Sequence, residues 1–425
     1  MTKLADIAQE IAGFNPDALE VGQAQELIRA FVAPVDGDER QTLTAALGRV
    51  LAEDVISPID VPAHDNSAMD GFAFLSKALG HEDVTLKVTG TAFAGHPFSG
   101  TVSEGECVRI MTGAVMPAGC DTVIPIELVK NLTESTVTIA AGSAKAGDNR
   151  RLQGEDLAAG TPALRMGKIL RPADLGLLAS LGIGEVPVKR RLRVAFFSTG
   201  DELRSIGEVL EEGCIYDSNR YTVYGMLSRM GCEVIDMGVV RDDPASLESA
   251  LRSACESADA IVTSGGVSAG DADYTKAMME KLGDVHFWKL AMRPGRPMAF
   301  GRITSNGTSA FLFGLPGNPV AAMVSFYFFA REALLRMMGA QSVALPRVRV
   351  TLQSTIRKKP GRTEYQRGIL SLDADGKPEV RVTGSQGSGI LRSMSEANCM
   401  IVVPHAQGNV HPGEAVDVVL FEGLT

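Results

Sequence analysis

Glycines, hydroxyls and carboxylates crowd together in one stretch, Thr263-Ser264-Gly265-Gly266-Val267-Ser268-Ala269-Gly270-Asp271-Ala272-Asp273-Tyr274. Ahead of it, Ala260-Ile261-Val262 reads as a buried strand. Behind it, Tyr274, Ala277, Met278 and Leu282 recur at helical spacing. A strand therefore ends, a glycine-rich loop follows and a helix opens. Glycine lets bare backbone N–H groups approach a ligand, and a helix N-terminus adds partial positive charge, so the combination suits a phosphate or a similar anion. Asp271 and Asp273 carry the wrong sign for that ligand, and they make sense if a divalent cation bridges them to it. The same residues also fit a plain turn capped by Asp273, and the stretch alone leaves both readings open.

The elements on either side bring further groups to the same place. Strand and helix patterns alternate through this part of the chain, which predicts a parallel sheet with helices on both faces. Val194-Ala195-Phe196-Phe197 runs into Ser198-Thr199-Gly200-Asp201-Glu202. A helix over 219–230 and a strand over 233–240 follow, ending in Arg241-Asp242-Asp243-Pro244. There Asp243 suits a cap and Pro244 the first turn of a helix over 244–257. Ala310-Phe311-Leu312-Phe313 ends in Gly314-Leu315-Pro316-Gly317-Asn318-Pro319, where a long apolar helix opens. In open α/β sheets ligands bind outside the carboxyl ends of the strands, so these loops converge. Asp201, Glu202, Asp242 and Asp273 would there offer hard oxygen ligands suited to Mg²⁺. Lys289, Arg293 and Arg296, around the Pro294-Gly295 turn, supply positive charge beside them.

The rest of the chain divides by pattern. Residues 18–56 look helical, with Leu27, Ile28 and Phe31 on one face and Leu43, Leu47, Val50 and Leu51 on another. Helical spacing returns from Pro172. Residues 1–60 and 157–190 are thus expected to form one helical domain, interrupted by a mainly β insertion over 61–156. The α/β segment spans 191–340 and a C-terminal β domain 341–425. That last part holds the flexible run Gly384-Ser385-Gln386-Gly387-Ser388-Gly389, which either reaches a ligand or merely joins strands. Asp65-Asn66-Ser67-Ala68-Met69-Asp70-Gly71 reads as a turn into a strand, and Arg150-Arg151 as a surface turn.

Bulk properties exclude several classes. A net charge of −10 argues against general nucleic-acid binding. No apolar run is long enough to span a membrane, and Lys3, Asp6 and Glu10 break up any signal-peptide core. Six scattered cysteines without a C-x-x-C pair fit a reducing cytoplasm better than zinc or a disulfide frame. No phosphate-binding P-loop signature and no dinucleotide fingerprint occurs.

Five motifs in order, Asp65 to Gly71, Arg109-Ile110-Met111-Thr112-Gly113, Ser198 to Leu203, Ser264 to Ser268 with Asp273-Tyr274, and Gly314 to Pro319, together resemble the MoeA family. These are molybdopterin molybdenumtransferases, related to the C-terminal part of gephyrin. The resemblance implies a multidomain α/β chain. Its three-layer α/β/α molybdopterin-binding domain would stand with an inserted mainly β domain, a helical linker domain and a C-terminal β domain. It implies molybdate insertion into adenylated molybdopterin, with Mg²⁺ and release of AMP, the last step of molybdenum cofactor synthesis. By motif, Asp70, Thr112, Glu202, Asp242, Asp273, Lys289 and Arg293 would be catalytic. Arg151, Asp156, Gly265, Gly266, Ser268, Arg296, Pro316, Pro319 and Ser388 would bind substrate, and Glu202, Asp242 and Asp273 would hold Mg²⁺. A cytoplasmic homodimer is implied, its cleft shared between the α/β domain of one chain and the inserted domain of the other. The resemblance also admits a transient contact with molybdopterin adenylyltransferase. Departures fall at Arg293-Pro294-Gly295-Arg296-Pro297, where the family usually has lysines, at Phe72 in place of Tyr, and at Arg150 in place of an aliphatic residue. Two alternatives stay open: the adenylyltransferase itself, which shares the α/β domain, and a non-enzymatic cofactor-binding scaffold.

Overall fold

The computed structural model describes residues 3–11, 13–267, 273–341 and 344–421. By packing the chain divides into two compact units. One holds Met1–Ala52, Gly167–Arg171 and Pro187–Thr425; the other holds Glu53–Met166 and Pro172–Val186.

The first unit is built on a six-stranded sheet. Its elements, in chain order, are β1 (Arg193–Thr199), α1 (Ser218–Arg229), β2 (Glu233–Val240), α2 (Pro244–Ser257), β3 (Ala260–Ser264), α3 (Asp273–Leu282), β4 (Gly283–Lys289), β5 (Pro297–Ser305), β6 (Thr308–Leu315) and α4 (Pro319–Ser325). The strands lie side by side as β2-β1-β3-β6-β5-β4. The first four are parallel, while β5 runs antiparallel to both neighbours. The expected parallel sheet is parallel over four strands and mixed at the β5–β4 end. The cause is the connection from Ser305 to Thr308, two residues long, with Asn306 and Gly307 both at positive φ. So short a link makes a hairpin, whereas a parallel crossover needs a dozen residues or more.

Side chains of the buried strands alternate between two cores, as strand geometry requires. Val194, Phe196, Ala260 and Val262 point to the face covered by α1, α4 and the N-terminal helix Val21–Phe31. Ala195, Phe197 and Ile261 point to the face covered by α2 and α3. This is a three-layer α/β/α sandwich. The N-terminal helix is seated by Phe31, whose ring stands edge-on to Phe300 and Phe311. The helical reading of 18–56 holds only over that helix and the single turn Leu43–Ala46. Gly48, at φ +74°, turns the chain, and Val50 and Leu51 then bridge in extended form to Ile169 and Val188. Apolar residues at helical spacing were outcompeted there by strand pairing.

Residues 348–420 supply the C-terminal β domain. The strand Thr363–Leu372 pairs with both Pro378–Val382 and Cys399–Val403, which closes the sheet on itself as a small barrel. Met292–Arg293 joins its edge, parallel to Thr363–Glu364.

In the second unit a six-stranded sheet runs Thr122–Pro125, Gly71–Phe74, Glu106–Ile110, Val84–Ala92, Thr136–Ile139, Asn131–Leu132. It buries Phe72, Phe74, Leu86, Ile124 and Val137 among others.

Candidate functional site

Strand order reverses between β1 and β3, because β2 lies on one side of β1 and β3 on the other. That switch point opens a crevice at the carboxyl ends of the strands. A cavity of about 760 Å³ lies there, walled by Thr199 and Gly200 after β1, Ser264 and Gly265 at the end of β3, and Pro316 and Gly317 after β6. The backbone crowds at this point. Gly265 sits at φ +95°, and a Cβ on it would lie 2.3 Å from the carbonyl oxygen of Thr199. Only glycine passes so close to β1. Asn219, in the first turn of α1, then ties two loops together. Its Nδ2 donates to Ser264 Oγ at 2.6 Å and to the Gly317 carbonyl at 2.7 Å.

The charged groups arrive from different elements. Glu202, past β1, folds its carboxylate back over Gly200. Asp242 reaches the same cavity from the end of β2, while Asp243 caps α2 by accepting from Ala245 N and Ser246 N, as its position before Pro244 predicts. Arg293 and Arg296 come from the basic turn. Gly295 between them, at φ +93°, lets that turn press onto α4, where a Cβ would meet Ser325 Oγ at 2.7 Å. Both arginines are exposed, and among the described residues neither makes an ion pair. Gly266, Pro316, Pro319 and Ser388 complete the wall on the predicted side.

Other predicted residues stand apart from this cavity. Lys289 ends β4, and its Nζ meets Asp17 Oδ1 at 2.7 Å rather than the cavity wall. That hydrogen bond and the lysine charge hold the Asp17 carboxyl below its ordinary range. Asp201 is exposed and does not line the cavity. Ser268 and Asp271 lie outside the described residues, and for Asp273 only the backbone, opening α3, is described.

Asp70, Thr112, Arg151 and Asp156 belong to the second unit. Asp70 precedes the strand Gly71–Phe74 and Thr112 follows Glu106–Ile110. The pairing of Gly71 with Ile110 brings the two together. Asp70 Oδ1 accepts from both Thr112 Oγ1 and Thr112 N at 2.7 Å, and these bonds hold its carboxyl below the usual range. Arg151 pairs in strand register with Asn66, four residues before Asp70, and its Nε donates to Glu155 at 2.8 Å. Asp156 is exposed, with its N–H donating to the Val61 carbonyl.

Reading the sequence missed Asn219, Thr199 and Arg362, all on the cavity wall. For Arg362 a signal existed: Pro360-Gly361-Arg362 repeats the Pro294-Gly295-Arg296 of the basic turn. Asn219 carried none, since an asparagine in a first helical turn is an ordinary cap.

A sandwich sheet with a charged cleft at its switch point, a closed barrel and an inserted β sheet define a multidomain α/β protein whose cleft carries both carboxylates and guanidinium groups. Residues 19–182 match the MoeA N-terminal region (domain I and II), residues 195–336 the "probable molybdopterin binding domain", and residues 349–421 the MoeA C-terminal region (domain IV). The molybdopterin molybdenumtransferase of Haemophilus influenzae is 43% identical over 91% of this chain and 94% of its own length. That of Nostoc sp. is 35% identical over 89% of this chain and 87% of its own. The crystal structure of the molybdopterin biosynthesis MoeA protein of Pyrococcus horikoshii superposes with a TM-score of 0.80 at 29% identity. It covers 95% of this chain and all of that one. The chain belongs to the MoeA family of molybdopterin molybdenumtransferases.

Proposed function

We propose that this chain inserts molybdate into adenylated molybdopterin and releases AMP, completing the molybdenum cofactor. The observation that carries this reading is the cavity at the switch point, where two carboxylates and two arginines, which make no ion pair among the described residues, line the same space. The substrates are polyanions, and the net charge of −10 would repel them without local cations. Arg293 and Arg296 would grip molybdate or phosphate oxygens with paired donors. Gly265 and Gly266, free of side chains, would let the nucleotide or pterin approach the backbone, beside Pro316, Pro319 and Ser388.

Mg²⁺ fits the donor set. Glu202 and Asp242 supply two hard carboxylates from the ends of separate strands, and Asp273, which opens the helix after β3, would add a third. Magnesium is commonly held by one or two carboxylates with substrate phosphates and water completing its shell, so a closed protein cage is not required. Bound there, it would offset charge at the phosphoryl group from which AMP leaves.

The second-unit residues take part through a homodimer in this reading. Asp70, Thr112, Arg151 and Asp156 of one chain would complete the cleft of its partner, and Lys289 would add charge at the rim. The domain division 1–60 with 157–190, 61–156, 191–340 and 341–425 belongs to the same proposal, as do a cytoplasmic location and a passing contact with the adenylyltransferase. No helix among the described residues is long and apolar enough to cross a membrane. A turnover assay with adenylated molybdopterin, molybdate and Mg²⁺ tests the reading. AMP release dependent on all three supports it. Adenylation of molybdopterin by ATP would favour the adenylyltransferase instead, and binding without turnover would favour a scaffold.

A further inference from the structure

The cleft occupies the carboxyl ends of the strands. A second charged cavity, of about 670 Å³, lies at their amino ends, and none of the chemistry above uses it. Its wall carries Arg49, Arg190, Arg191, Arg193, Glu39 and Glu233. Arg193 opens β1 and Glu233 opens β2, side by side in strand register. Arg190 and Arg191 belong to Lys189-Arg190-Arg191-Leu192-Arg193, the run that leads into β1. Arg49 and Glu39 come from the N-terminal segment, and all six residues lie in the first unit. The wall thus sets four guanidinium groups against two carboxylates, in a chain of net charge −10.

These cations are not equivalent. Arg190 is matched by Asp259 through two parallel bonds, at 2.7 and 2.8 Å. Arg49, only 6% exposed, is matched by Glu39, and its Nη2 also donates to the Lys189 carbonyl at 2.6 Å. Off the wall, Lys189 meets Asp38 at 2.7 Å, and the Asp36 carbonyl accepts from Arg190 Nε at 2.8 Å. The matched groups form a fixed frame, and Arg191 and Arg193 are left over. Arg191 is exposed and makes no ion pair among the described residues. Its Nη1 donates to the Gly231 carbonyl at 2.8 Å, just past α1, which holds the guanidinium in place without neutralising it. Arg193 reaches Asp259 only at 3.6 Å, a carboxylate already spent on Arg190, and its side chain is 46% exposed. Glu233 alone opposes these two from the wall. Like charges held this close repel one another unless an anion sits between them. Guanidinium groups grip phosphate oxygens with paired donors. The volume suits a small molecule rather than a single ion, since ligand pockets run from about 300 to 1,000 Å³. Among the described residues the wall has no aromatic ring and only Ala45 as an apolar side chain, so nothing there stacks a base.

We propose that this cavity is a second anion site, taking a short phosphate chain that Arg191 and Arg193 grip on the frame set by Arg49 and Arg190. A ligand there would join the N-terminal segment to the amino ends of β1 and β2. The site stands independently of the molybdate-insertion reading, and its test needs no turnover. The probe is inorganic triphosphate, titrated by calorimetry into the full chain without Mg²⁺. Arg293 and Arg296 of the cleft would compete for it, so the titration is run on the Arg293→Ala/Arg296→Ala chain. Binding should persist there and slow hydrogen exchange of the amides of 190–193 and 231–234. Adding Arg191→Ala or Arg193→Ala should weaken it about tenfold or more, the scale of a lost charge-assisted contact. Adding Glu233→Gln should tighten it severalfold, because the one opposing charge of the wall is removed. ATP should bind within about threefold of triphosphate, since only the phosphates are held. No binding once the cleft arginines are gone, or protection confined to the cleft loops, overturns the proposal. So does unchanged affinity in Arg191→Ala, or unchanged or weaker affinity in Glu233→Gln. ATP binding more than about tenfold tighter than triphosphate overturns the phosphate-chain assignment. Should Arg193→Ala not fold for want of its contact with Asp259, Arg191→Ala and Glu233→Gln carry the test.

Discussion

At the scale of single residues the cleft is a contest between a net negative molecule and a few well-placed cations. Arg293 and Arg296 flank a Pro-Gly turn, and Lys289, the third cation of the group, is already engaged by Asp17. In the proposed function the arginines would therefore carry more of the anion-holding work than three equal charges would. Replacing Arg293 by Ala removes a charge-assisted contact of about 1.5–3 kcal/mol, so the apparent molybdate KM should rise about 10- to 150-fold. Arg293→Lys restores the usual family residue and should stay near wild type, while Lys289→Ala should show a smaller effect than Arg293→Ala. Steady-state kinetics over a molybdate series reads all three. An Arg293→Ala enzyme with unchanged KM would return the basic turn to the solvent. For the carboxylates, Asp242→Asn should slow AMP release without altering the fold, and raised Mg²⁺ should restore part of the rate. A wild-type rate in that variant would leave Asp242 a structural residue.

Among elements, the close approach of β1 and β3 sets the shape of the cleft, and it depends on one glycine. Gly265→Ala places a methyl 2.3 Å from a backbone oxygen at φ +95°. The loop must move or strain by about 1–3 kcal/mol, so both the melting temperature and turnover should fall. Gly317→Ala meets only ordinary contact at 3.7 Å and should change stability by no more than about 0.5 kcal/mol. The opposite end of the sheet is held by charge. Asp259 is largely buried, which raises its pKa. Its bonds from Arg190, at 2.7 and 2.8 Å, and from Arg193 N, at 2.9 Å, outweigh this, so the carboxyl is held below its ordinary range. A depressed carboxylate pKa stabilises above the unfolded value and loses that contribution as pH falls through the folded one. Asp259→Asn should therefore cost about 1.5–3 kcal/mol near neutral pH, with the gap to wild type closing below pH ~4. Thermal melts across pH 3 to 7 check the sign.

Helices such as Pro244–Ser257 were legible because Asp243 and Pro244 mark the start chemically, and the buried strands because their runs are apolar and β-branched. Convergence of Glu202, Asp242 and Pro316 on one cavity followed from topology alone. The hairpin of β5 and β6 is marked in the sequence only by the two-residue turn Asn306-Gly307, which an alternating strand and helix pattern conceals. Asn219 was illegible for a different reason: its importance lies in Ser264 and Gly317, which it touches from 45 and 98 residues away, and no local pattern encodes that.

At the scale of the whole molecule, the proposed reaction draws on residues from two compact units. The hydrogen-bonded pair of Asp70 and Thr112 lies in the second unit, and the cavity with Asp242 lies in the first. If the working cleft joins units from different chains of a two-fold dimer, each chain contributes half of two sites. Asp70→Ala and Asp242→Ala homodimers should then each be impaired in turnover. After subunit exchange of an equal mixture, half of the dimers pair one variant with the other. Each such heterodimer holds one site with both residues intact and one with neither, so activity should recover to about a quarter of wild type. Mass spectrometry of differently tagged chains confirms that exchange occurred. Full exchange without recovery would place Asp70 and Asp242 in a site made by a single chain, and the shared cleft would have to be abandoned while the cavity chemistry of the first unit still stood.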